Sequence, residues 1–128
     1  MEKINKTILI VEDVYDSTAL LEAYLKPYNF NLLYANDGQE AVDICKNNNI
    51  DLVLMDIKMP FMGGMEATEL IKKNKPDLPI IAQTAYALKG DKEKIMLSGC
   101  DDYISKPINK SLLMKKIFKA LNLEFVDE

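Results

Sequence analysis

The segment "LVLMDIKMP" (Leu52–Pro60) places four consecutive apolar residues directly before a carboxylate, Asp56. An apolar run without alternation is typical of a strand that is buried on both faces, as in the middle of a parallel sheet. Charged side chains are rarely buried without a partner. The segment therefore predicts a central β-strand whose last residue has a chemical role.

Segments of the same kind recur along the chain and alternate with helical patterns. We predict five strands, at Thr7–Val11, Asn31–Ala35, Asp51–Asp56, Leu78–Thr84 and Asp102–Ser105. We predict five helices. The first carries Leu21, Tyr24, Leu25 and Tyr28 on one face, and the second begins after a cap residue, Asn36 or Asp37. The other three cover Met65–Asn74, Leu88–Leu97 and the chain from Asn109 onward. Five β-α repeats with short connections predict an α/β fold, a doubly wound five-stranded parallel sheet with helices on both faces.

Composition limits the function classes that the chain can serve. The 128 residues are 48% hydrophobic and 28% charged, with a formal net charge of −4, so we expect one globular domain without direct nucleic-acid contact. The longest apolar run has four residues, whereas a membrane span needs ~20. The initial "MEKINK" lacks a signal-peptide core. We therefore expect a cytoplasmic protein without direct membrane contact.

The chain contains no histidine and two cysteines, Cys45 and Cys100. The lack of histidine excludes Ser-His-Asp and Cys-His nucleophile systems and His-ligated zinc within this chain. The cysteines lack C-x-x-C spacing, and we expect both to be small buried hydrophobic residues.

Polar side chains follow four of the predicted strands. They are Glu12, Asp13, Asp56, Thr84 and Lys106. The carboxyl ends of parallel strands meet at one edge of a sheet, so these groups should converge. Crowded carboxylates repel one another, and Mg²⁺, which prefers oxygen ligands, relieves that repulsion. Glu12 and Asp13 could instead cap the following helix, but a cap explains neither Asp56 nor Lys106.

The same five residues suit phosphoryl transfer. An aspartate oxygen can act as a nucleophile toward phosphorus and form an aspartyl phosphate. The transfer requires positioning and neutralised charge on the transferred oxygens. Lys106 supplies a point charge and Thr84 a hydroxyl donor. We predict that Asp56 accepts a phosphoryl group at a Mg²⁺ site made by Glu12, Asp13 and Asp56.

Four stretches, each at a strand end, resemble the receiver domain of two-component response regulators. They are "ILIVED" (Ile8–Asp13), "DLVLMDIKMPFMGG" (Asp51–Gly64), "PIIAQTA" (Pro79–Ala85) and "DDYISKPI" (Asp101–Ile108). The resemblance covers nearly the whole chain, and the residue pattern is most similar to that of receivers of hybrid histidine kinases. It implies a flavodoxin-like fold with strand order 2-1-3-4-5. It also implies one receiver domain over residues 1–128, with a core of about residues 5–122 and a tail or linker start at 123–128.

The resemblance implies roles for the residues at the strand ends. Asp56 would be the phosphoacceptor, and the main-chain carbonyl of Lys58 would join Glu12, Asp13 and Asp56 as a Mg²⁺ ligand. Thr84 and Lys106 would contact the new phosphoryl group.

The resemblance also implies how a signal leaves the site. Tyr103 would be an aromatic switch that rotates inward when Thr84 moves, and the Lys106–Pro107 peptide would be cis. The alternative for Tyr103 is an ordinary half-buried strand tyrosine. The switched surface would be the fourth helix, fifth strand and fifth helix. The partners would be a histidine kinase or histidine phosphotransfer protein and an unknown output partner, with the chain a monomer or a phosphorylation-dependent dimer.

Several positions depart from the family pattern, and three other functions stay open. Among these positions, Gly63 stands where an aspartate is common, and Gln83 stands where an aliphatic residue is usual. A flavodoxin-type FMN protein would share the fold but needs a Ser/Thr/Gly-rich phosphate loop in place of Glu12 and Asp13. A haloacid-dehalogenase-type phosphatase needs Asp-x-Asp after its first strand. A pseudo-receiver would dock partners without phosphorylation. We expect a signalling domain rather than an enzyme.

Overall fold

The computed structural model describes residues 4–59, 62–85 and 89–126, in which five strands alternate with five α-helices. The strands are β1 (Thr7–Val11), β2 (Asn31–Ala35), β3 (Leu52–Asp56), β4 (Ile80–Thr84) and β5 (Asp102–Ser105). The helices are α1 (Tyr15–Leu25), α2 (Gly38–Asn47), α3 (Gly64–Asn74), α4 (Lys89–Leu97) and α5 (Lys110–Ala120). A short 3₁₀ helix, Lys26–Tyr28, follows α1.

The strands form one parallel sheet in the order β2-β1-β3-β4-β5. This arrangement confirms the predicted doubly wound α/β fold and its strand order. The order reverses between β1 and β3, and in such sheets the crevice beyond the carboxyl ends of these two strands is the usual ligand site. The strand ends that carry Glu12 and Asp56 are therefore neighbours.

Two hydrophobic cores cover the two faces of the sheet. In β1 the side chains alternate between them: Leu9 and Val11 belong to one core, and Ile8 and Ile10 to the other. The first, which we call the α3-side core, includes Val42 of α2, Ala67 and Ile71 of α3 and Ile95 of α4. The second, the α5-side core, includes Leu21 and Leu25 of α1 and Leu113, Met114, Ile117 and Phe118 of α5. Burial on both faces explains why β3 and β4 are buried at every position.

Three helix ends follow the expected capping chemistry. Asp37 caps α2 by accepting a hydrogen bond from the Glu40 N–H at 2.8 Å, and Asn109 caps α5 by accepting from the Leu112 N–H at 2.9 Å. After α4, Gly99 adopts a positive φ of 105°, a conformation that glycine tolerates best. The prediction that α4 starts at Leu88 lies outside the described residues.

Two predicted boundaries shift by a few residues. β4 begins at Ile80 instead of Leu78, and Pro79, which precedes it, has no N–H to donate to the sheet. Helix α1 ends at Leu25, so Tyr28, which was predicted on its apolar face, belongs to the 3₁₀ helix that follows. Both cysteines are buried and unpaired, as predicted, and burial raises the pKa of each thiol to about 11.

An aromatic cluster that the sequence did not predict lies at the edge of the sheet opposite the acidic residues. Phe118 of α5 lies at ring-centroid distances of 5.4 Å from Tyr28, 5.9 Å from Phe30 and 5.0 Å from Phe125. Leu123 and Phe125 pack against the α5-side core, and the Leu123 N–H donates to the Phe118 carbonyl at 2.8 Å. The chain after α5 is thus held against the domain as far as Phe125.

In the described ranges, no helix is long and apolar enough to cross a membrane.

Candidate functional site

Three carboxylates converge beyond the ends of β1 and β3. Glu12 and Asp56 are buried, with 2% and 4% of their surface exposed, whereas Asp13 is exposed. One carboxylate oxygen from each of the three lies within 4.8 Å of the others. The Glu12 N–H donates to the Ala35 carbonyl at 3.0 Å, which extends the β1–β2 ladder by one residue and fixes the Glu12 backbone. The sheet thus brings together the three acids that the sequence predicts.

Helix capping does not account for this acidic group. The N-cap residue of α1 is Val14, and α1 has no side-chain cap. Glu12 accepts a hydrogen bond from the Val14 N–H at 3.2 Å. That bond orients the Glu12 carboxylate but leaves its other oxygen to face the site.

Lys106 connects the two buried acids. Its Nζ lies 3.1 Å from Oδ1 of Asp56 and 3.2 Å from Oε2 of Glu12. The Lys106–Pro107 peptide is cis, as the resemblance implied. The Lys106 N–H donates to the Thr84 carbonyl at 2.8 Å, which continues the β4–β5 ladder and holds the lysine over the acids. The sequence predicted Lys106 for the site but not its ion pair with Glu12.

The electrostatics of the site are unfavourable for carboxylates. Burial, followed by repulsion from Asp56, raises the pKa of Glu12, although Lys106 acts in the opposite direction. Burial also raises the pKa of Asp56, with Lys106 lowering it and Asp13 raising it. Burial alone would lower the pKa of Lys106, but the two carboxylates outweigh it and raise that pKa. One ammonium therefore only partly compensates the acids, and a cation would be favoured here.

The remaining predicted residues line the same cavity. It has a volume of about 570 Å³, and its walls include all six groups predicted for phosphoryl and metal binding: Glu12, Asp13, Asp56, Lys58, Thr84 and Lys106. Thr84 is buried and Lys58 is exposed at the rim. The start of α3 packs tightly under Asp56, since a Cβ at Gly64 would lie 2.1 Å from the Asp56 carbonyl oxygen. A glycine at this position is needed for the approach.

The sequence matches the family model described as the response regulator receiver domain over residues 8–118. The chain belongs to the response regulator receiver domain family. It is also 42% identical over 125 residues to "Hybrid signal transduction histidine kinase I" of Dictyostelium discoideum. That match covers 91% of the chain but only 7% of the relative, so the chain spans a small part of that kinase.

Solved structures confirm the fold of this receiver domain. One is the receiver domain of the sensor histidine kinase PA1611 from Pseudomonas aeruginosa PAO1, with magnesium in its active-site cleft. It is 32% identical with a TM-score of 0.87, covering 93% of this chain and 99% of that one. Another is the co-crystal structure of the Saccharomyces cerevisiae phosphotransfer protein Ypd1 with the receiver domain of Ssk1. The matched chain is 34% identical with a TM-score of 0.85, covering 93% and 90% of the two chains.

Tyr103 of the receiver domain lies on the edge strand β5, between α4 and α5. The ring is partly buried against the α3-side core, with Lys92 Nζ 5.2 Å and Lys116 Nζ 5.8 Å from its centroid. Lys116 also contacts both carboxylate oxygens of Asp102, at 2.9 and 3.0 Å. The two lysines come from different helices, so no local sequence signal pointed to them.

Gln83, which departs from the family pattern, is 1% exposed. Its side-chain nitrogen has no hydrogen-bond partner among the described residues, and the same holds for Thr68 Oγ1 on α3. Another departure, Gly63, is the N-cap of α3 and provides no side-chain cap.

Proposed function

We propose that this receiver domain takes a phosphoryl group onto Asp56 from a phosphohistidine of a partner protein, with Mg²⁺. The observation that carries the proposal is the convergence of three carboxylates within 4.8 Å of one another, with the Lys106 ammonium 3.1 Å from Asp56. Because the chain has no histidine, the phosphohistidine would belong to another protein or another part of a longer one.

The donor set fits a hard divalent cation. Carboxylate and carbonyl oxygens are the ligands that Mg²⁺ prefers. Glu12, Asp13, Asp56 and the main-chain carbonyl of Lys58 would hold the ion, and the receiver domain of PA1611 has magnesium in its active-site cleft. When bound, Mg²⁺ would neutralise charge on the transferred phosphoryl oxygens.

The residues of the chain supply the rest of the chemistry. An Asp56 carboxylate oxygen attacks the phosphorus, the P–N bond of the phosphohistidine breaks, and the imidazole nitrogen leaves with the electron pair of that bond. The rigid end of β3 aims Asp56, and its backbone is held by the Ile57 N–H bond to the Gln83 carbonyl at 3.1 Å. During the transfer, the Lys106 ammonium moves its contact from the Asp56 carboxylate to one phosphoryl oxygen, and the Thr84 hydroxyl donates to a second phosphoryl oxygen.

The signal would leave through α4, β5 and α5. The new phosphoryl group adds about −1.5 to −2 charges. Thr84 is the last residue of β4, and Lys106 directly follows β5. Movement of either residue toward the phosphoryl group therefore changes the packing next to Tyr103. Tyr103 would then rotate and alter the surface between α4 and α5 that output partners contact. A swing from 1:99 to 99:1 between two states requires about 5.5 kcal/mol of differential stabilisation.

The family comparisons support a phosphorelay partner. The Ypd1–Ssk1 complex pairs a histidine phosphotransfer protein with a receiver domain, and the relative from Dictyostelium is a hybrid histidine kinase. For this chain we propose a histidine kinase or a histidine phosphotransfer protein as the phosphoryl donor. We propose a cytoplasmic location, where such donors present their phosphohistidines.

Phosphorylation itself is the decisive test. The protein is incubated with acetyl phosphate and Mg²⁺ and weighed by mass spectrometry, with Asp56→Asn as the test variant and Asp43→Asn, an exposed aspartate of α2, as the matched control. We expect the wild type and Asp43→Asn to gain one phosphoryl group and Asp56→Asn to gain none. Equal rates in Asp56→Asn would overturn the site assignment. A wild-type protein that gains no phosphate would support the pseudo-receiver alternative.

The switch has its own test. Tyrosine-labelled protein is examined by NMR before and after phosphorylation, with Tyr103 assigned by substitution to Phe. We expect the Tyr103 resonance to shift in the wild type and in Thr84→Ser, which keeps the hydroxyl, but not in Thr84→Ala. An undiminished shift in Thr84→Ala would refute the coupling between Thr84 and Tyr103.

A further inference from the structure

Gln83 lies beside the proposed phosphoacceptor in the sheet. In the parallel pairing of β3 with β4, Asp56 is aligned with Gln83. Leu54 and Ile81, two residues before each of them, both belong to the α5-side core. Because side chains alternate along a strand, Asp56 and Gln83 project from the same face on strands spaced ~4.8 Å apart. The Gln83 side chain is therefore a direct neighbour of Asp56.

The same alternation places the charged groups of the site on that face. Glu12 follows Ile10 by two residues, and Lys106 follows Ile104 by two, and both isoleucines belong to the α5-side core. The Glu12 and Lys106 N–H groups continue the sheet ladders, so the alternation extends to them. Gln83 thus projects from the same face of the sheet as Glu12, Asp56 and Lys106. Its direct neighbours in the pairing are Asp56 on β3 and the apolar Ile104 on β5.

Gln83 is unfavourable for the stability of the free protein. It is 1% exposed, and its Nε2 has no hydrogen-bond partner among the residues that the structure describes. A buried donor without an acceptor loses its hydration and gains nothing in return. An apolar side chain of the same size would fit the α5-side core better. The amide therefore calls for an acceptor that is present in another state of the protein.

Phosphorylation would leave an Asp56 oxygen without a hydrogen-bond donor, which the Gln83 amide could supply. In the free protein, Lys106 Nζ contacts Oδ1 of Asp56. A phosphoryl group would draw the ammonium toward its more highly charged oxygens. The Asp56 oxygen that is not bonded to phosphorus would then lose this donor. A carboxyl oxygen has two lone pairs, so it can accept a hydrogen bond even while it serves the metal site.

We propose that Gln83 is a positioning residue for the phosphorylated state, and that its side-chain N–H donates to the Asp56 oxygen not bonded to phosphorus. Phosphorylation of Asp56 gives the unpaired Gln83 amide an acceptor, and the new hydrogen bond fixes the orientation of the side chain that carries the phosphoryl group. The inference rests on the proposed function, because it requires Asp56 to be the phosphoacceptor. It assigns a role to a residue that departs from the family pattern.

The first test compares stability with affinity for a phosphoryl analogue. Gln83→Met keeps the length of the side chain and removes the donor. The matched control is Thr68→Val, which removes the other orphaned buried group from α3, whose Ala67 and Ile71 belong to the α3-side core. Both variants and the wild type are melted, and each is titrated with beryllofluoride at saturating Mg²⁺, followed by ¹⁹F NMR.

We expect both substitutions to raise the melting temperature of the free protein. Only Gln83→Met should weaken beryllofluoride binding, by roughly threefold to tenfold, the size of one hydrogen bond. Affinity within twofold of the wild type in Gln83→Met would overturn the inference. An equal loss in Thr68→Val would also overturn it, because the effect would then be a general consequence of repacking.

The second test observes the amide directly in the wild-type protein and needs no stable variant. The ¹⁵N side-chain resonances of Gln83 are assigned and followed as beryllofluoride and Mg²⁺ are added. We expect one of the two amide protons to move downfield on binding, and an unmoved pair would overturn the inference. Asp56→Asn separates the two proposals. If it binds beryllofluoride as the wild type does, the proposed function fails; if it does not bind and the wild-type amide stays unmoved, only the role of Gln83 fails.

Discussion

The two edges of the sheet differ in what they do for the protein. At the carboxyl edge, burial raises the pKa values of Glu12 and Asp56, and Lys106 compensates only in part. At the amino edge, the Tyr28, Phe30, Phe118 and Phe125 rings pack edge-on or tilted with centroids 5.0 to 6.4 Å apart. Aromatic pairs in such geometries stabilise a protein beyond the area that they bury.

This difference indicates a division of labour within one small domain. The acidic edge holds carboxylates that repel one another in the free protein. This repulsion is expected at a site that binds a cation, because the cation relieves it. The aromatic edge consists of three phenylalanine rings and the Tyr28 ring, and it supplies packing. Substitutions at the two edges should therefore change the free energy of unfolding in opposite directions.

The largest expected effect is at the aromatic edge. Phe118→Ala removes the ring that contacts three others and leaves a cavity beside the α5-side core. We expect the free energy of unfolding to fall by about 3–5 kcal/mol, measured by urea denaturation. The control is Leu112→Ala on the same helix, where the side chain is 47% exposed. A loss in Leu112→Ala as large as in Phe118→Ala would contradict the role given to the aromatic cluster.

The acidic edge should respond in the opposite sense. Asp56→Asn removes one of the buried, mutually repelling carboxylates, while Lys106 keeps its contact with Glu12. Without Mg²⁺ at pH 7, we expect the free energy of unfolding to rise by about 0.5–2 kcal/mol, the usual size of a stabilising substitution. Added Mg²⁺ should stabilise the wild type more than the variant. A less stable Asp56→Asn protein in metal-free buffer would refute the comparison of the two edges.

The gain from Asp56→Asn should depend on pH. Because the pKa of Asp56 is raised in the folded state, the folded protein binds this proton more tightly than the unfolded chain. The stabilising contribution of the protonated group is complete below the unfolded pKa and is lost as the pH rises through the raised folded pKa. The difference between variant and wild type should therefore be largest at neutral pH and shrink as the pH falls. A difference that stays constant from neutral pH down to the ordinary aspartate pKa of about 3.9 would exclude titration of Asp56 as its cause.

The smallest expected effect concerns the start of α3, close to the acidic edge. A Cβ at Gly63 would meet only the Ile57 carbonyl oxygen at 3.5 Å, an ordinary contact. Gly63→Asp should supply the missing N-cap and raise the free energy of unfolding by a few tenths of a kcal/mol, measured by urea denaturation. Gly64→Ala is the counterpart, since its Cβ would collide with the Asp56 backbone. A neutral Gly64→Ala would show that α3 does not support Asp56 as tightly as the structure indicates.

The sequence by itself determined the fold and which polar residues meet at the carboxyl edge of the sheet. Apolar runs without alternation marked the central strands, and the strand order that the family resemblance implied is confirmed. The predicted Glu12, Asp13, Asp56, Thr84 and Lys106 line one cavity, because parallel strands necessarily place their carboxyl ends together. The roles of these residues in phosphoryl transfer remain predictions.

Only the tertiary structure decided which side chains meet. The Lys106 contact with Glu12 joins residues 94 positions apart, and the lysines beside Tyr103 come from two helices. The aromatic cluster joins the 3₁₀ helix, the start of β2, α5 and the chain that follows. The sequence marked Gln83 as an unusual buried amide, but only the packed sheet leaves it without an acceptor beside Asp56. Periodicity reports which face of a strand or helix is buried, whereas pairings between distant segments depend on how the layers pack.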